Sequence, residues 1–257
     1  MPINNIVLIG AGNLASQLGR VLHEKGINIL QVLSRSKESA ELLAGKIDST
    51  PIINSDQLMD DADLYVLAVP DDEIPGIVDA VNFHDRLIVH TSGSVDMKVL
   101  QNASSQYGVF YPLQTFSKAK NIDFSDIPIC VESSGEDTCN ELFDLGRLIS
   151  NDVRRINSSQ RRSVHIAAIF ASNFTNYMYK LADEILEKEN ISFDILQPLI
   201  RETASKVKTN SPGDAQTGPA SRGDMKIIEK HIQDLKNDPV KLVVYKIISK
   251  VISDGHW

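Results

Sequence analysis

Apolar residues recur in short runs through the first 156 positions, and at helical spacing through the remainder. Residues 6–9 are a run of four aliphatic side chains that stops at Gly10, the signature of a short strand buried on both faces. The same reading gives strands over 28–33, 51–53, 63–69, 86–90, 106–111, 127–132 and 152–156. Helical spacing falls over 14–22, over 36–44 behind a serine N-cap, and over 136–149. From Ser158 onward no strand pattern remains, and helices are predicted over 158–188, 193–208, 224–235 and 239–252. A Gly-, Pro- and Ser-rich loop at 209–222 separates the second of these from the third. Strand and helix alternation predicts an α/β fold, a doubly wound and mostly parallel Rossmann sheet over 1–156. An all-α domain follows over 157–257.

Candidate chemistry begins where the first strand ends. Gly10, Gly12 and Ala15 spell G-x-G-x-x-A between a strand and a helix. Gly10 permits the tight turn, Gly12 lets a pyrophosphate approach the backbone, and Ala15 allows close packing of helix on strand. The helix start offers unpaired N–H groups and the positive end of its dipole to phosphate. The second strand ends in Ser34-Arg35-Ser36, where such folds hold the adenosine ribose. An acid there would bind the 2′-hydroxyl of NAD, whereas arginine with hydroxyl neighbours suits the 2′-phosphate of NADP. NADP is therefore predicted in preference to NAD. Its expected contacts are Gly10, Gly12, Asn13, Leu14, Ala15, Ser34, Arg35, Ser36, Val69, Pro70, Thr91 and Ser92.

Asp71, Asp72 and Glu73, directly after Pro70, read as helix-capping acids in preference to catalytic ones. His90 ends a strand beside the expected nicotinamide position, as a structural histidine or a proton donor. Along 158–188, His165, Ile169, Ser172 and Asn176 share one helical face, with Asn173 adjoining. That stripe reads equally as packing and as a substrate surface. The apolar repeat of Val240, Val243, Val244, Ile247, Ile248 and Val251 is core or a dimer interface. In Arg222-Gly223-Asp224 the acid is placed to cap a helix and the arginine to reach an anion.

Composition narrows the partners. The 257 residues carry a formal charge of −8 with no basic block, which argues against nucleic acid. Cys130 and Cys139 lack any metal-ligand spacing and read as free thiols of a reducing compartment. No apolar run approaches the roughly 20 residues of a membrane span, and no secretory pattern opens the chain. A cytoplasmic protein with a small-molecule substrate, no membrane partner and no metal is the expectation.

Seven features occur in order: Gly10, Gly12 and Ala15 together, Ala68-Val69-Pro70-Asp71, His90-Thr91-Ser92-Gly93, Pro112-Leu113-Gln114-Thr115-Phe116, Ser172-Asn173, Gly218-Pro219, and Arg222-Gly223-Asp224. With them the sequence resembles, over essentially its whole length, the bacterial Rossmann-like proteins that carry a C-terminal helical domain of unknown function. The resemblance implies distant kinship with pyrroline-5-carboxylate reductase, ketopantoate reductase and deazaflavin-dependent NADP reductases. It further implies NADP binding, a helical domain that closes over the nicotinamide, and homodimers; it supplies no substrate. Two departures stand out. Tyr111 occupies a position where the group usually has histidine, which speaks against an acid–base role there. Ile169 stands four residues before Asn173, where related hydroxyacid dehydrogenases carry lysine.

Together these features predict an NADP-dependent oxidoreductase moving hydride between NADP(H) and a small carbonyl or imine substrate that bears a carboxylate. Ser172 and Asn173 would donate hydrogen bonds to the reacting group, His90 or His165 the proton, and Arg222 would clamp the carboxylate. The competing reading is a non-catalytic NADP-binding sensor or partner-binding protein, since a Rossmann domain does not by itself imply activity.

Overall fold

The computed structural model describes residues 2–83 and 85–255. The apolar runs of the first part of the chain all enter one eight-stranded sheet of order β3-β2-β1-β4-β5-β6-β7-β8. In chain order the elements are β1 (Asn5–Ile9), α1 (Asn13–Glu24), β2 (Asn28–Leu33), α2 (Lys37–Ala44), β3 (Thr50–Ile52), β4 (Leu64–Leu67), α3 (Ile74–Ala80) and β5 (Leu87–His90). They continue with β6 (Tyr107–Pro112), β7 (Ile129–Ser133), α4 (Glu136–Ile149) and β8 (Val153–Arg155). Every neighbouring pair is parallel except β6 and β7.

β1 shows why its sequence carries no polar residue after Asn5. Ile6 and Leu8 enter one apolar core with Leu18 and Leu22 of α1, Leu43 of α2 and Leu142 of α4. Val7 and Ile9 enter a second core on the other face, with Ile74 and Val78 of α3. Each such side chain, fully buried, contributes roughly 1.5–3 kcal/mol. The doubly wound arrangement read from the sequence is thus present, and strand order reverses between β1 and β4, where open sheets of this kind bind ligands.

Helical structure then runs from α5 (Ser158–Ala168) through a π segment, Ile169–Phe174, into α6 (Thr175–Glu187). The uninterrupted α-helix expected over 158–188 is therefore corrected. A π turn closes i→i+5 hydrogen bonds and accommodates an extra residue, so face assignments based on 3.6 residues per turn do not carry across it. Asn157 caps α5 in a reciprocal box with Gln160. By internal contacts the chain divides into two compact units, Met1–Asn173 and Phe174–Trp257.

The second unit comprises α6, α7 (Gln197–Lys206), α8 (Met225–Asp234) and α9 (Pro239–Asp254). Lys241 of α9 donates to Glu184 of α6 at 2.6 Å and to Asp238, the N-cap of α9, at 2.7 Å. Hydrogen bonds from the Lys241 side chain and backbone hold the Asp238 carboxyl down at about 2. His231 Nδ1 and the Tyr245 hydroxyl, 2.8 Å apart, join α8 to α9. Among the described residues no helix is long and apolar enough to cross a membrane.

Candidate functional site

The glycine turn behaves as its residue types require. Gly10 has φ +120°, and a Cβ there would stand 2.2 Å from the Ala68 carbonyl oxygen, so no other residue fits between β1 and β4. A Cβ on Gly12 would meet no protein atom within 4 Å. Gly12 is the N-cap of α1 and brings no side chain to its first-turn N–H groups, leaving them to an outside acceptor. Ala15 is fully buried, and Gly19 approaches Leu8 more closely than a side chain would permit.

A cleft of about 470 Å³ opens at this turn, lined by Gly10 to Gly12, Ser34, Arg35, Ser39, Val69, Pro70, Glu73 and Lys118 among others. Its shape and donors fit a dinucleotide: backbone N–H groups at the glycine turn, and an exposed guanidinium at the end of β2. The side chains of five further expected contacts are engaged locally, while the backbone N–H groups of Asn13 and Leu14 belong to the open first turn of α1. Asn13 donates to the Phe116 carbonyl at 3.0 Å. Leu14 packs against the first core. The Ser36 hydroxyl caps α2 by accepting from Ser39 N at 3.2 Å. The Thr91 hydroxyl donates to the Leu67 carbonyl, and Ser92 Oγ accepts from the N–H groups of Ser94 and Val95. None of these five lines the cleft.

Gln17 and Arg20 of α1 explain the presence of Lys118. Gln17 Nε2 donates to the carbonyls of Ser117 and Lys120 at 2.7 and 2.9 Å, and Arg20 donates to that of Ile122 at 2.8 Å. With Asn13 they fasten the loop after β6 along the helix that begins at the glycine turn.

At the adjoining strand ends a second group of side chains converges. Ser94 Oγ donates to Asp71, linking the loops that follow β5 and β4. One residue earlier, Gly93 lies against both Tyr111 and His165: an added Cβ would stand 2.5 Å from His165 Nδ1 and 2.9 Å from Tyr111 Cζ. The Tyr111 hydroxyl and His165 Nδ1 are 3.1 Å apart, their rings edge to face. Burial raises the Tyr111 pKa, and the Cys130 thiol adds to that, so the phenol stays protonated well beyond neutral pH. The pair lines a pocket of about 590 Å³ with Gln114, Thr115, Ser172 and Asn173, and otherwise with aliphatic side chains. Among the described residues no Asp, Glu, Lys or Arg lines this pocket. Ser172 and Asn173 both belong to the π segment.

His90 has no such access. It is fully buried, its Nδ1 accepts from Ser92 N at 3.2 Å, and its Nε2 has no hydrogen-bond partner. Burial first, and the Arg161 cation second, depress its pKa to about 4. At neutral pH it is an uncharged structural group. Arg222 lies in the turn before α8, in the second unit, and lines neither cavity. Asn176 is likewise not among the residues lining the pocket.

Arg161 escaped the sequence reading altogether. Its guanidinium is completely buried, paired with Glu132 of β7 and donating to the Val95 carbonyl. Glu132 in turn accepts from the N–H and hydroxyl of Ser158 at 2.8 and 2.9 Å. This network fixes the start of α5, and hence His165, on the sheet. Among the described residues no group of three His, Cys, Asp or Glu side chains could hold a metal.

Comparison with known proteins agrees with this architecture. Residues 2–114 match a Rossmann-like domain and residues 127–252 a domain of unknown function, DUF2520. A solved Bacteroides fragilis protein, provisionally named an NADP oxidoreductase, is 42% identical over 98% of each chain, with a TM-score of 0.91. At the level of fold alone the chain is similar to an imine reductase from Myxococcus stipitatus in complex with NADP+ (11% identity, 97% and 93% of the chains, TM-score 0.69). It is similar in the same sense to 1-pyrroline-5-carboxylate reductase from Streptococcus pyogenes (15% identity, 98% and 97%, TM-score 0.64). Among curated proteins none matches the chain.

Proposed function

We propose, from the premise that the chain belongs to the family of Rossmann-like proteins with a DUF2520 C-terminal domain, that it is an NADP-dependent oxidoreductase acting on a small carbonyl or imine compound. The observation that carries this reading is the Tyr111–His165 pair, 3.1 Å apart, in a pocket at the strand ends whose described lining has no Asp, Glu, Lys or Arg. The fold similarity to NADP-dependent reductases and the 42% identical NADP oxidoreductase support the cofactor.

The nicotinamide, when bound, supplies the hydride. What the chain must supply is a proton and a place for developing charge. As a C=O or C=N carbon accepts hydride, its π electrons move onto the oxygen or nitrogen, and the Tyr111 hydroxyl delivers the proton there; the acid–base role that the departure from histidine spoke against returns because His165 stands behind the phenol. His165 Nδ1, hydrogen-bonded to the same phenol oxygen, hands a proton on to Tyr111, and the imidazole takes its replacement from solvent at Nε2. Ser172 Oγ and the Asn173 amide orient the reacting group by donating to it. With no Lys or Arg in its described lining, the pocket would hold a substrate carboxylate by these neutral donors.

A homodimer is part of the same proposal. The second unit buries only Leu181, Ala220 and Ile228 among its described apolar side chains, while Val240, Val243, Ile247 and Val251 of α9 are exposed. A second copy is the occupant that would cover this face.

The test begins with parallel titration of NADPH and NADH, followed by NADPH oxidation with a panel of cyclic imines, 2-keto acids and aldehydes. Tight NADPH, turnover of one panel class, and a Tyr111→Phe variant slowed 100-fold or more with unchanged NADPH affinity are expected. NADPH binding without turnover across the panel would leave a nucleotide-binding sensor, and binding of neither cofactor would withdraw the proposal.

A further inference from the structure

The acid that the end of β2 lacks is supplied by another strand. In dinucleotide folds a carboxylate beside the adenosine ribose accepts from the 2′-hydroxyl and repels a 2′-phosphate. Ser34-Arg35-Ser36 occupies that place here, yet Glu73, in the turn that follows β4, reaches across to it: Glu73 Oε1 and Arg35 NH1 are 2.6 Å apart. Both side chains line the same cleft as the glycine turn. The Arg35 side chain is 80% exposed and that of Glu73 33%, so a ligand can reach the guanidinium and compete for it.

Resting on the NADP reading above, we propose that Glu73 is a specificity-determining residue, which sets the ratio of NADPH to NADH affinity by competing with the cofactor's 2′-phosphate for Arg35. A 2′-phosphate must displace the carboxylate from the arginine and then sit beside the displaced negative charge. A ribose bearing a 2′-hydroxyl pays neither cost and can donate to Glu73. The carboxylate therefore lowers NADPH affinity and supports NADH. Lys118, from the loop fastened to α1, lines the same cleft and keeps the balance of charge on the side of phosphate.

The experiment is calorimetric titration of wild type, Glu73→Gln, Arg35→Ala and the double variant with NADPH, NADH, 2′,5′-ADP and 5′-AMP, at two salt concentrations. Glu73→Gln should tighten NADPH and 2′,5′-ADP about tenfold, weaken or leave unchanged NADH and 5′-AMP, and lose most of its gain in the Arg35→Ala background. The gain should shrink at high salt, as interactions of exposed charges do. Unchanged or weaker NADPH binding by a Glu73→Gln variant that melts like wild type would overturn this inference while leaving the NADP reading intact. Failure of wild type to bind either cofactor would overturn both.

Discussion

A methyl group at position 93 would stand 2.5 Å from His165 Nδ1, well inside the distance at which non-bonded atoms repel. Gly93 is thus what allows tyrosine and histidine to close against the strand-end loop. Gly93→Ala should cost about 1–3 kcal/mol by overpacking, read as a lowered urea midpoint; a midpoint equal to wild type would mean that the pair shifts freely and is held there by nothing. His90 makes a second prediction, in pH. Its folded pKa of about 4 lies below the ordinary 6.5, so between those values the unfolded chain takes up a proton that the folded chain refuses. The stability attached to neutral His90 is fully present above pH 6.5 and is lost as pH falls towards 4, about 3 kcal/mol in all. His90→Asn keeps an acceptor for Ser92 N and removes the titration. Its stability difference between pH 7 and pH 4.5 should be smaller than that of wild type by about 2 kcal/mol, and equal losses would contradict the burial.

At the scale of elements, the start of α5 hangs on one buried ion pair. Arg161 is wholly inside the protein, and Glu132, its partner on β7, also receives the Ser158 N–H and hydroxyl. Removing one member leaves the other charge without compensation, at about 3–5 kcal/mol, whereas removing both is far milder. Arg161→Met should therefore destabilise strongly, and Arg161→Met with Glu132→Met much less, as measured by denaturant unfolding; equal losses would show the pair to be solvated. The contrast between what the sequence discloses and what it conceals has its origin here. Strands, the Ser36 cap and the glycine turn are legible because each is written in a local period or in adjacent residue types. The Tyr111–His165 contact joins residues 54 positions apart, Arg161–Glu132 29 apart, and Arg35–Glu73 38 apart. Nothing in the local pattern marks such pairs, so Arg161 looked like any helix arginine and Glu73 like a capping acid. Ser172 and Asn173 were placed on the right segment, but the π turn that presents them lies outside a 3.6-residue reading.

For the molecule as a whole, α9 is the informative element because it is apolar on both sides. Lys241, Val244, Tyr245, Ile248, Ser249 and Ile252 line a cavity with Leu181 of α6, while Val240, Val243, Ile247 and Val251 point outward at 39–59% exposure. The outward side of a surface helix in a self-sufficient unit is polar. With only three described apolar side chains buried, the helical unit gains little stability from a core of its own. A second copy packed on the α9 stripe would convert that exposed area into core, at roughly 25 cal/mol per Å² of apolar surface removed from water. The chain should therefore sediment at twice its 28.4 kDa mass. Ile247→Asp, at the middle of the stripe, should dissociate the dimer and lower the melting temperature of the helical unit more than that of the sheet, because only the former depends on the interface for its core. A wild-type chain that sediments as a monomer would show instead that the outward stripe takes a partner other than a second copy.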